Sequence, residues 1–167
     1  MTSLRLADPA GDFRQALVPL LPSLRAFARF LAHDPSRADD LVQETVLRAL
    51  AAEQQWQPGT ELRAWCFRIL RNAHLEHGRR RASETRALGR LDRDATARAS
   101  QQDAADLGDL DRAMRGLPEG QREALILVSA HGFSIEEAAE VCGVAPGTIK
   151  ARISRARVTL ARRYHGG

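Results

Sequence analysis

Apolar residues recur at three- and four-residue steps along most of the chain, which is the spacing of amphipathic helices. Leu17, Leu20, Leu21, Leu24, Phe27, Ala28 and Leu31 trace the first pattern between Phe13 and Leu31. Pro19 and Pro22 sit inside it, so a break or restart is expected near Pro22, with proline in a first turn. In HDPSRADDLVQETVLRAL, Asp34 is placed to cap the next helix and Pro35 to occupy its first position. Ala38, Leu41, Val42, Val46, Ala49 and Leu50 mark its buried side; Asp39, Asp40, Gln43 and Glu44 lie away from most of that stripe. Ala51 to Glu61 contains Pro58-Gly59 and reads as a loop. A further helix carries Leu62, Trp65, Cys66, Ile69, Leu70 and Ala73 as its apolar stripe, with Arg68, Arg71, Asn72 and Arg79 on the other side, and runs into Arg80 and Arg81.

From Ser83 to Asp106 the pattern stops. Large apolar residues become scarce and charged and small ones dominate, so the stretch is expected to be a flexible linker with residual helix. The predicted layout is all-α: two small helical domains, residues 10–82 and 107–165, joined by residues 83–106. In the second block, Leu107, Leu110, Met114 and Leu117 predict a short helix closed by Gly116 and Pro118. Glu119 to His131 predicts another, with Ala124, Leu125, Leu127 and Val128 apolar. Ser134 and Glu137 of SIEE form a capping-box pattern, Val141 and Cys142 end that helix, and Gly143 suits the left-handed position after it. Pro146 opens the last helix, where Val144, Ile149, Ile153, Ala156 and Leu160 are expected to face the core.

Composition narrows the function. Aromatic residues are 5% against 44% apolar, so the cores must be built chiefly from Leu, Ala, Val and Ile. Cys66 and Cys142 lie far apart in apolar patterns and read as small buried hydrophobes rather than a disulfide or metal pair. No metal-ligand motif and no nucleophile–base set is present, so neither a cofactor nor an enzymatic activity is expected. No run approaches the roughly 18 apolar residues of a membrane span, and the opening MTSLRLADPAGDF lacks the layout of a signal peptide. A cytoplasmic protein without membrane contact of its own is expected. The net charge of +4 is modest, but its distribution is not even: no Asp or Glu follows Glu140, so the last helix is purely cationic.

A short helix, a glycine turn and a second helix make the helix-turn-helix pattern, whose second helix enters the DNA major groove. With Ile149 and Ile153 inward, Thr148, Lys150, Ala151, Ser154 and Arg155 point outward. Hydroxyls, an ammonium and a guanidinium can contact phosphates and base edges, and alanine permits close approach.

Taken together, DPSRADDLVQETVLRAL, LRAWCFRILRNAHLEHGRRR and LPEGQREALILVSAHGFSIEEAAEVCGVAPGTIKARISRAR resemble the extracytoplasmic-function (ECF) sigma factors, bacterial transcription initiation subunits. The resemblance runs from about Phe13 to Arg163. It implies a region-two domain, a region-four domain, and core RNA polymerase, promoter DNA and an anti-sigma factor as partners. It implies that Asp39, Asp40, Gln43 and Glu44 bind the coiled-coil clamp of the polymerase largest subunit. Asn72 would contact an extruded minus-ten base, which the loop from Glu53 to Glu61 would hold. Arg68, Arg71, Arg79, Arg80 and Arg81 would hold nearby phosphates, and the Lys150–Arg155 face would read the minus-thirty-five element. The chain departs from the family at Val46 and Leu50, where many members carry an aromatic and Trp. The wording of the second block is nearest to the branch that directs the general stress response. Two other readings are a sigma-mimicking anti-anti-sigma module and an ordinary helix-turn-helix regulator. A mimic would be expected to carry a receiver domain and to lack a competent DNA face. A repressor would not need DDLVQET.

Overall fold

The structure, a computed structural model, describes residues 9–56, 61–89 and 109–165. The regular elements in these residues are all helical. The chain divides into two compact units between Arg81 and Ala82.

The first unit begins with α1 (Pro9–Leu17), a 3-10 turn (Val18–Leu20) and α2 (Leu21–Ala32). Pro19 falls in that turn and Pro22 in the first turn of α2, where an absent N–H leaves no bond unmade. His33 ends α2 in the left-handed conformation, φ 53°, its N–H donating to the Arg29 carbonyl at 3.1 Å. The chain can then reverse at once into α3 (Pro35–Ala51), capped by Asp34, whose Oδ1 accepts from the Arg37 N–H at 2.8 Å. A 3-10 turn (Glu53–Gln55) precedes α4 (Leu62–Ala87). The reach of α4 carries helix through Ala87, inside the stretch expected to be linker; residues 90–106 of that stretch lie outside the described residues.

Two phenylalanines organise this core. Phe27 of α2 and Phe67 of α4 stack with ring centroids 5.0 Å apart, both inaccessible to solvent. The buried stripe of α4 is therefore Leu62, Ala64, Cys66, Phe67, Leu70 and Ala73. Trp65 and Ile69, expected in that stripe, are only half-buried, because the pull of Phe67 towards α2 turns the helix and moves them to its margin. Trp65 instead meets Phe13 of α1 edge-on at 6.1 Å, and Phe13 also contacts Trp56 at 5.5 Å. On α3, Val46 and Leu50 are likewise half-buried, and a polar residue, Thr45, is fully buried. Its hydroxyl donates to the Leu41 carbonyl one turn back at 2.7 Å, which removes the cost of burying it. Cys66 is buried, and burial pushes its thiol up to about 12, so it is protonated and unreactive at neutral pH.

The second unit holds α5 (Asp109–Arg115), α6 (Glu119–Leu125), α7 (Ile135–Cys142) and α8 (Pro146–His165). The single helix expected over Glu119–His131 is not continuous α-helix. At Ile126–Ala130 it widens into a π turn, in which the His131 N–H reaches the Ile126 carbonyl at 3.1 Å. Gly132, at φ 69°, then turns the chain and Phe133 returns to the core. The Ser134 capping box is complete: Ser134 Oγ accepts from the Glu137 N–H at 3.1 Å, and Glu137 Oε2 accepts from the Ser134 N–H at 2.7 Å. Gly143 takes the left-handed position, φ 65°, that ends α7. Ile149, Ile153 and Ala156 of α8 are buried against α6 and α7, with Val144 and Leu160 half-buried at the margins. Leu107 lies outside the described residues.

Truncating Phe67 to Ala removes one ring of the central stack. It is expected to lower unfolding free energy by about 3–5 kcal/mol, read as a lower urea midpoint; a shift below about 1 kcal/mol would show that Phe67 is not a central contact.

Candidate nucleic-acid and partner-binding faces

On α8 the buried positions determine the exposed ones. Ile149, Ile153 and Ala156 face inward, so Thr148, Lys150, Ser154 and Arg155 stand exposed, and Ala151 is half-buried among them. The capping box and Gly143 hold the two helices of the turn at a defined angle from which this face projects. Its chemistry is two hydroxyls and two cations around a small residue. No acid follows Glu140, so nothing in this part of the chain neutralises it.

On α4 the cations divide between two sides. Arg68, Asn72 and Arg79 are exposed and recur at i, i+4 and i+11, a single stripe along the helix. Arg71 is half-buried at the edge of that stripe and held by contacts within the protein. Arg80 and Arg81 turn the other way, into an open cleft that they share with Arg37, Asp40, His74 and His77. The set read from the sequence as one basic patch is thus a stripe and a separate cleft, because consecutive residues on a helix point 100° apart. Of the loop expected between Glu53 and Glu61, Trp56 is anchored on Phe13, while residues 57–60 lie outside the described residues.

On α3, Asp39, Asp40 and Gln43 are exposed. Glu44 differs from its neighbours: it is half-buried and committed within the fold. Its Oε1 lies 2.5 Å from Arg48 Nη2, and its Oε2 lies 2.7 Å from His77 Nε2. Arg48 also donates both terminal nitrogens to Glu76 of α4, at 3.2 and 2.7 Å, a bidentate pair. The Arg48 guanidinium holds the Glu76 carboxyl below its usual range, with weaker pulls from Arg80 and Arg79. This four-residue network clips α3 to α4. The sequence reading missed Arg48 and Glu76, which stand 28 positions apart, and no local pattern connects them.

Among the described residues no cluster of three or more His, Cys, Asp or Glu could hold a metal ion. None of their helices is long and apolar enough to cross a membrane.

Comparison with known proteins follows the same division. Residues 107–160 match the family described as Sigma-70, region 4, and residues 17–71 that described as Sigma2 domain of PhyR. The chain is 47% identical over 151 residues to the ECF RNA polymerase sigma factor EcfG of Rhodopseudomonas palustris, covering 90% of this chain and 83% of that one. Among solved structures, it is similar to the sigma factor RpoE of Bartonella quintana in complex with the anti-sigma factor NepR, with TM-score 0.74 and 42% identity over 89% of this chain and 94% of that one. It is also similar to CnrH in complex with the cytosolic domain of CnrY, with TM-score 0.67 and 27% identity over 96% of this chain and 94% of that one.

The Arg48–Glu76 pair predicts a pH dependence. A carboxyl whose proton affinity is lowered by folding stabilises the fold above its unfolded pKa, and that contribution is lost as pH falls through the acid range. Both side chains are about 37% exposed, so water screens the pair. Glu76→Gln is expected to cost at most about 1 kcal/mol at neutral pH, and the difference from the parent should vanish between about pH 5 and pH 3. Urea midpoints across that range test it; a pH-independent difference counts against the pair.

Proposed function

The chain belongs to the ECF RNA polymerase sigma factors, non-enzymatic subunits of transcription initiation, and from that membership we propose how its separate faces divide the work. The α8 face of Thr148, Lys150, Ala151, Ser154 and Arg155 reads the minus-thirty-five element in the major groove. The observation that carries this is the burial of Ile149, Ile153 and Ala156, which leaves a cationic face on a helix that carries no acid. The α4 stripe of Arg68, Asn72 and Arg79 meets the minus-ten strand. Asn72 contacts an extruded base, and the two arginines hold phosphates. Arg71, Arg80 and Arg81 add phosphate contacts from its flanks. Asp39, Asp40 and Gln43 meet a basic surface of core polymerase, the coiled-coil clamp of its largest subunit. Glu44 contributes mainly by fixing α3 against α4.

The regulation proposed is a one-to-one complex with a small helical anti-sigma factor of the NepR kind that blocks core binding. The similarity to RpoE, solved with NepR, and to EcfG supports this and a role in the general stress response. The protein would act in the cytoplasm, alongside RNA polymerase. A sigma mimic would not require the exposed DNA-facing chemistry of α8.

Three outcomes test this reading. Asp39→Lys with Asp40→Lys should weaken core binding by about tenfold or more while leaving helix content unchanged; unaltered affinity in a titration would remove α3 from the interface. Glu44→Lys is the poorer probe, because it also breaks the Arg48 network. A stable ternary complex of sigma, anti-sigma and core on a sizing column would contradict the blocking mechanism. Arg155→Ala should cost about 1–3 kcal/mol and relax preference at one or two base pairs if it reads a guanine edge. If Arg155 holds only phosphate, binding should weaken evenly across sequences, and the salt slope should fall by about one.

A further inference from the structure

Two unusual features of the second unit explain each other. The first is Gly120, in the opening turn of α6. Glycine disfavours helix relative to alanine, and it is usually retained for a positive φ. Gly120 is not among the described glycines with positive φ, which are Gly89, Gly132 and Gly143. What distinguishes Gly120 is its neighbour. A Cβ there would lie 3.1 Å from Arg152 Cζ, 3.2 Å from Nε and 3.4 Å from Nη1. At Gly78, Gly89, Gly132, Gly143 and Gly147 an added Cβ would meet nothing within 4 Å.

The second feature is Arg152 itself. Its Nη1 is buried and has no hydrogen-bond partner among the described residues. A buried donor without an acceptor is costly, so its guanidinium is not placed there for a hydrogen bond by that nitrogen. It is placed by shape: a flat group lies against the bare backbone of α6. Arg152 stands four residues after Thr148 and three before Arg155, one turn from each, and beside the buried Ile149 and Ile153. It occupies the margin between the core face of α8 and its exposed face.

We infer that Arg152 is a positioning residue: seated in the space left by Gly120, its guanidinium adjusts by a few degrees the rotation that the buried stripe gives α8, and so the aim of Thr148 and Arg155. This deepens the DNA-binding reading above and rests on it. Alanine at position 120 would have to displace the end of a flexible side chain rather than backbone, so the variant should fold. Small rotations matter here because base-edge recognition depends on hydrogen-bond direction, whereas phosphate attraction does not.

The experiment is a mutant cycle on holoenzyme assembled with core RNA polymerase. The probe is a duplex library randomised at the upstream promoter element, sequenced before and after selection. Parent, Gly120→Ala, Arg152→Ala, the double variant and Arg155→Ala are compared, with thermal unfolding of each free protein. Gly120→Ala should keep or raise the melting temperature, since alanine is the better helix former. It should nonetheless flatten base preference at the Arg155-dependent positions by about five- to tenfold, within the range of one lost base contact. Arg152→Ala should flatten the same positions, and the double variant should be no worse than Arg152→Ala alone. Independent, multiplying effects in the double variant would overturn the inference, as would preference losses that merely track lost stability. If Arg155→Ala leaves both the parent's preference and its affinity unchanged, the DNA-facing reading itself fails; if it weakens binding evenly across sequences, Arg155 holds only phosphate and the positioning role fails. If Arg155→Ala flattens the preference and Gly120→Ala does not, only the positioning role fails.

Discussion

A helix can bury only one stripe, and that constraint governs every surface of this protein. Burying an Ile or Leu side chain contributes about 1.5–3 kcal/mol, more than an exposed polar contact on the same helix returns. The apolar positions therefore choose the rotation of each helix, and the polar positions take what remains. On α8, Ile149, Ile153 and Ala156 make the choice, and Thr148, Lys150 and Arg155 are presented as a consequence. On α3, Ala38, Leu41, Val42, Thr45 and Ala49 make it, and Asp39, Asp40 and Gln43 are presented. Under the proposed division of partners, surfaces of opposite charge are needed, and different helix faces provide them: an acidic one on α3 and cationic ones on α4 and α8.

Not every polar residue on an outward face is without bonds inside the fold. Glu44 lies beside Gln43 but joins Arg48, His77 and Glu76 in the network that ties α3 to α4. The likeness of Glu44 to Asp40 in sequence is thus a likeness of chemistry and not of surroundings. The same separation runs through α4. Arg79 continues the stripe of Arg68 and Asn72, whereas Arg80, the next residue, opens into a cleft with Arg37 and His77. One residue of helix turns 100°, enough to move a charge from one face to another.

The two informative glycines show how one residue type serves different physical needs. Gly143 is required by its backbone, since φ 65° strains any residue with a Cβ and the turn before α8 depends on it. Gly120 has no such need and leaves room for a side chain that approaches from another helix. Only the first kind has a signature in the local sequence, at the end of an apolar helical pattern and three residues before the proline that opens the next helix.

Local chemistry was legible from the residues alone. The Asp34 cap, the prolines of α2 and α3, the Ser134–Glu137 box and the Gly143 turn each involve groups within a few positions of one another, so their bonds are implied by spacing. The core face of α8 was equally legible, because its stripe is long and its other side strongly charged. Contacts between helices were not. Phe67 follows Cys66 and sits off the simple stripe, and only Phe27, forty positions earlier and brought close by packing, explains its burial. Thr45, which no apolar pattern marks, is buried with its hydroxyl on the carbonyl of Leu41. The bidentate grip of Arg48 on Glu76, the cleft that Arg80 shares with Arg37 and Asp40, and the seat of Arg152 against Gly120 all depend on which helix lies alongside which. Periodicity fixes the side of a helix that must be buried, but the partner that buries it, and the few degrees of rotation that follow, are decided by three-dimensional packing.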